Sequence, residues 1–137
     1  MRKKVWVYNP RKRKRVISNR TRMRISFACD RFVGQYLRLQ FMRPFDPKNK
    51  KNPQCVDISW KWHGNFIYFK TAYRDLRPDV IMETYEYPIA RLEYMDENSF
   101  HLAYFRHTEE WREITCGEKN SLEECFNFIR GLPHFKV

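Results

Sequence analysis

Ile25, Cys29, Phe32, Tyr36 and Leu39 recur at steps of three and four, the period that places side chains on one face of an α-helix. The spacing predicts a helix over residues 18 to 41, capped by Ser18 or Asn19 and ended before Pro44. Gly34 within it costs about 1 kcal/mol relative to Ala. From Gln54 the period changes to two: Val56, Ile58, Trp60 and Trp62 alternate with Cys55, Asp57, Ser59 and Lys61. His63, Gly64 and Asn65 then turn the chain into residues 66 to 73, a β-hairpin with one strongly aromatic face.

Residues 84 to 94 read as a strand interrupted at Pro88, which belongs at a sheet edge or a bulge. Residues 100 to 105 and 111 to 115 come next as strands, with turns at Asp96-Glu97-Asn98 and Thr108-Glu109-Glu110. Consecutive strands on short connections make an antiparallel meander. Ser121-Leu122-Glu123-Glu124 has the form of a capping box for a helix that buries Leu122, Cys125, Phe126 and Ile129 and stops at Gly131. The predicted fold class is α+β: a long N-terminal helix packed on a four- to five-stranded antiparallel meander, with a short C-terminal helix. Residues 1 to 17 form a basic arm with a short possible edge strand at residues 5 to 8, and residues 18 to 137 a single domain.

Charge changes this picture. The first 53 residues hold 17 Lys and Arg against Asp30 and Asp46, a balance of +15, while the rest carry 10 against 14, or −4. Arg11, Lys12, Arg13, Lys14 and Arg15 are consecutive, and repel one another unless an anionic partner neutralises them. Arg20, Arg24, Arg31 and Arg38 recur at steps of four, seven and seven, which puts them in a narrow arc about 120° from the apolar stripe. Lys48, Lys50 and Lys51 extend the positive surface in a proline-rich loop. A charged helix face can simply be solvated and aid solubility. A third of a chain this basic nonetheless has few partners, and nucleic acid comes first, because Arg grips phosphate in bidentate fashion and many contacts add through counterion release.

Composition adds bounds. An aromatic content of 17% with four glycines implies an ordered core. Met1-Arg2-Lys3-Lys4 is followed by a short mixed stretch and not by an apolar signal region, and no apolar run is long enough to span a bilayer. The expectation is a soluble cytoplasmic protein with no membrane partner. Cys29, Cys55, Cys116 and Cys125 lack C-x-x-C spacing, alone or with His63, His101, His107 and His134, so neither metal nor cofactor is expected.

Two clusters carry candidate chemistry. Trp60, Trp62 and Tyr68 are candidates for stacking unpaired bases, although such residues more often form the core beneath a helix. Residues 66 to 73 carry aromatics on both faces, so the long helix is expected to cover one face and leave the other open. Arg106, His107, Thr108, Glu110 and Trp111 meet at one turn, near Arg91 and Glu93. An enzyme could use His107 as general base, Glu93 or Glu110 to orient it, and Arg91 or Arg106 to hold a phosphate. A hairpin held by cross-strand Arg–Glu pairs and a packed Trp accounts for the same residues more simply.

Val5-Trp6-Val7-Tyr8, Lys61-Trp62-His63, Ala90-Arg91-Leu92-Glu93-Tyr94, Arg106-His107-Thr108 with Trp111, and Ser121-Leu122-Glu123-Glu124-Cys125 run in order along most of the chain. Together they resemble a family of small bacterial α+β proteins of unknown function. The resemblance implies one domain and brings no substrate or catalytic residue. Two departures stand out: Glu109 occupies a turn position where the family leads one to expect glycine, and this helix is richer in arginine than the family's usual one. The expected function is therefore a non-enzymatic nucleic-acid-binding accessory protein, alone or as a subunit of a nucleoprotein complex. The alternatives are an interaction module for an acidic protein and a phosphodiester-directed enzyme centred on His107.

Overall fold

A computed structural model describes residues 16–106, 108–114 and 120–132. The N-terminal helix opens at α1 (Asn19–Phe32), where the Ser18 hydroxyl accepts from the Thr21 amide at 3.2 Å and satisfies an amide that the helix leaves unpaired. It continues through a π-helical turn (Val33–Leu37) into α2 (Arg38–Phe41). A π turn takes one residue more than an α turn, so the residues after it are set back by about 100°. This turn alters the inward stripe. Thr21, Ile25, Cys29, Val33 and Leu37 are buried at four-residue steps, which in a regular helix would drift off the core. Leu39, expected on the stripe, is 72% exposed, and Leu37 takes the inward place.

Five antiparallel strands come next, in spatial order β1-β2-β3-β4-β5: β1 (Gln54–His63), β2 (Phe66–Arg74), β3 (Thr84–Asp96), β4 (Ser99–Phe105) and β5 (Trp111–Glu113). The β1–β2 connection places Gly64 at φ +61°, the left-handed region that a side chain resists and that a tight hairpin demands of its first central residue. Pro88 sits at a bulge, where the register passes from Phe69↔Ala90 to Lys70↔Pro88 and leaves Ile89 as the extra residue. The ladder with β4 begins only at Ala90↔Tyr104, so the imide nitrogen of Pro88 leaves no gap there. α3 (Leu122–Arg130) starts with the complete capping box of Ser121 and Glu124 and buries Leu122, Cys125, Phe126 and Ile129.

Alternation along each strand separates two sheet faces. Ile58, Ile67, Phe69, Leu92, Phe100 and Leu102 point to the helices and are fully buried. Phe32 of α1 stacks on Phe126 of α3 at 4.1 Å between ring centroids, and both meet Phe69 edge-on, at 6.0 and 6.4 Å. That aromatic triad joins both helices to the centre of the sheet, each ring pair adding about 0.5–1.5 kcal/mol beyond the area it buries. Among the described residues no element is stacked on the opposite face.

Candidate nucleic-acid interface

The four-residue line of α1 faces inward, and the arc of the helix about 120° round from it faces solvent. Arg20, Arg24 and Arg31 stand exposed there. The Arg24 guanidinium is steadied by donating from Nη2 to the Glu97 carbonyl at 2.6 Å, and that of Arg31 lies over Phe27, 5.8 Å from the ring centroid. Arg38 leaves this line. The π turn swings it to the sheet, where its Nε donates to the Ile58 carbonyl at 2.9 Å and its Nη2 is 3.2 Å from Asp57 Oδ1.

Lys48, Lys50 and Lys51 are exposed on the loop before β1. That loop is shaped by its own polar side chains: Asp46 Oδ1 accepts from the Lys48 amide at 2.9 Å and Asn49 Oδ1 from the Lys51 amide at 3.0 Å. The five cations from Arg11 to Arg15, the possible strand at residues 5 to 8, His107 and Cys116 lie outside the described residues.

The three candidate stacking residues separate. Trp60 and Trp62 face the helix, and their indole N–H groups donate to Asp30 Oδ1 at 2.8 Å and to the Ser26 hydroxyl at 2.9 Å. Arg22 covers Trp62 from above at 4.2 Å. Tyr68 projects from the opposite, open face into a ring cluster with His63 at 6.2 Å, Phe66 at 6.1 Å and Trp111 at 5.8 Å, and Trp111 in turn meets Phe105 at 5.1 Å.

Arg91 lies within that cluster, 4.7 Å from the Trp111 ring and 5.2 Å from that of Phe66. Arg106 pairs with Glu110 at 3.6 Å across the turn. Glu93 stands opposite Phe66 and His101 in the ladders, and His101 Nδ1 is 3.5 Å from Glu113 Oε2. Arg91, Arg106 and Glu110 are thus engaged in ring and ion-pair contacts that hold the hairpin.

The buried thiols are chemically quiet. Burial pushes the Cys125 thiol up to about 12, with Glu124 adding to the effect, and raises Cys29 further, with Asp30 adding. Burial also raises Cys55. Among the described residues no group of three or more His, Cys, Asp or Glu side chains is placed to hold a metal ion.

One contributor lies outside the basic N-terminal third. Arg130, in the last turn of α3, lies over Tyr36 at 4.6 Å and over Phe32 at 5.1 Å. With Arg24 and Arg31 it lines a groove of about 470 Å³ between α1 and α3. Its position four residues after Phe126 was a usable signal, but a cation in a last helical turn is ordinarily read as a complement to the helix dipole.

A family model described as Domain of unknown function (DUF3024) matches residues 11–135. No curated protein and no solved structure matches the chain.

Proposed function

We propose a function from the side chains themselves, since the chain belongs to the DUF3024 family and that family's description names no activity. The protein acts as a non-enzymatic, cytoplasmic nucleic-acid-binding accessory protein, alone or within a nucleoprotein complex. Its phosphate grip comes from Arg20, Arg24 and Arg31, from Lys48, Lys50 and Lys51, and from the basic run Arg11 to Arg15. One observation carries this reading: Arg20, Arg24 and Arg31 are exposed along one helix face, and none of them has a carboxylate partner among the described residues. Guanidinium groups left without acids are suited to phosphate oxygens.

The test is a salt titration of binding to labelled DNA and RNA, each single- and double-stranded. With about six phosphate contacts, affinity is expected to fall by roughly three decades between about 50 and 200 mM salt. Absence of binding to all four at low salt overturns the reading.

The open sheet face favours a second reading. Phe66, Tyr68, Phe105 and Trp111 gather there around Arg91, which suits contact with a protein partner. Mass spectrometry of complexes recovered with and without nuclease separates the two: protein partners that survive nuclease treatment favour the second, and their loss favours the first.

A further inference from the structure

Phe27 is 64% exposed on α1, although a phenylalanine on a solvated helix face contributes nothing to the core. It lines the groove that also holds Arg24, Arg31 and Arg130. On its other side it lines a second depression with Met23, itself 72% exposed. The ring is therefore a raised apolar point with guanidinium groups one turn before and one turn after it.

The groove is built rather than incidental. Arg130 is laid flat by Tyr36 and Phe32 and donates from Nη1 to Asn127 Oδ1. Arg24 is tied to the Glu97 carbonyl. Three arginines and one acid, Glu123, line it, a balance of +2. None of the three arginines pairs with a carboxylate among the described residues, whereas Arg38, Lys70, Arg74, Arg77 and Arg106 all do.

Resting on the nucleic-acid reading above, we infer that this groove is a site for single-stranded nucleic acid. An unpaired base stacks on Phe27, and the adjoining phosphates lie against Arg24, Arg31 and Arg130. A duplex keeps its bases stacked on one another and has no free π-face to offer Phe27, whereas every base of a single strand has one. The site is thus indifferent to base identity and selective for strandedness.

Fluorescence anisotropy on the full chain tests this with labelled single strands of roughly 16 nucleotides, DNA and RNA, and the matching duplexes. Phe27→Ala is expected to weaken single-strand binding about tenfold and leave duplex binding unchanged, while Phe27→Trp retains single-strand affinity. Arg130→Gln is expected to reduce the salt slope for single strands by about 1. Because Phe27 is exposed, circular dichroism should show each Phe27 variant folded. Single-strand affinity unchanged in Phe27→Ala, or lost equally for strand and duplex, overturns this inference and leaves the general reading standing. No binding of strand or duplex by the wild type removes both, and binding of polyglutamate in their place, weakened by Phe27→Ala, assigns the groove to an acidic protein instead.

Discussion

The two sides of the molecule use their cations in opposite ways. On the sheet, Lys70 pairs with Glu86 at 2.8 Å and Arg74 with Glu83 at 2.7 Å, and in the loop after β2 Arg77 binds the buried carboxylate of Asp75. Arg91 is enclosed by aromatic rings. On the helix side, Arg20, Arg24 and Arg31 stand in solvent without acids, within a third of the chain that carries +15. Folding absorbs these cations of the sheet side, and Arg38 as well, and leaves Arg20, Arg24 and Arg31 over. Charge left over is what a partner can use, which is why we propose the helix side as the working surface and the sheet as its support.

The largest expected effect tests whether the helix side is held on by apolar packing alone. Phe126→Ala removes the ring stacked on Phe32 and should cost about 3–5 kcal/mol in urea unfolding. Substituting Arg20, Arg24 and Arg31 together by Gln should change stability by under about 1.5 kcal/mol, since exposed positions each move it by about 0.5 kcal/mol or less. The same triple variant should make the salt slope of nucleic-acid binding shallower by about 3. A triple variant as unstable as Phe126→Ala would break the contrast, because the arginines would then be structural.

A smaller effect sharpens it from the other side. Arg91→Ala removes a cation lodged between Trp111 and Phe66 and should cost about 1 kcal/mol of stability. Its affinity for nucleic acid should match the wild type. A tenfold loss of affinity in this variant would make the open sheet face part of the binding surface.

Much of this division could be read from residue order, and its gaps have physical causes. Alternation from Ile58 to Trp62 and the Ser121–Glu124 pair suffice to place β1 and α3, because each rests on a local period or a local hydrogen bond, although a bulge between Cys55 and Asp57 breaks the alternation at Val56 and Cys55 packs against the core. The π turn leaves no such trace, since it depends on which backbone carbonyl each amide selects. A regular period therefore puts Leu39 inward and Arg38 on the ridge, where the structure buries Leu37 and turns Arg38 to Asp57. Alternation also shows that Trp60 and Trp62 share a side, but their indole partners, Asp30 and Ser26, come from a helix some thirty residues away. The groove depends on Arg130 and Tyr36 meeting across 94 positions of the chain, which no local pattern announces.

The smallest expected effect concerns the turn between β4 and β5. Glu109 has φ +65°, a conformation costing an L-residue roughly 1–2 kcal/mol that glycine adopts freely. The turn holds it there: the Glu109 amide donates to the Arg106 carbonyl at 2.8 Å, and the Arg106 amide to the Glu110 carbonyl at 2.9 Å. Glycine at this position relieves the strain but enlarges the freedom of the unfolded chain, which offsets about 0.5–1 kcal/mol of the gain. Glu109→Gly should therefore stabilise by about 0.5 kcal/mol, a rise in melting temperature of about 2 °C. Glu109→Ala removes the same charge without relieving φ, so it should give no rise. Nucleic-acid affinity should not move in either variant, since the strain belongs to the supporting side. A gain in Ala equal to that in Gly would trace the effect to charge, and a change in affinity would bring this turn into the working surface.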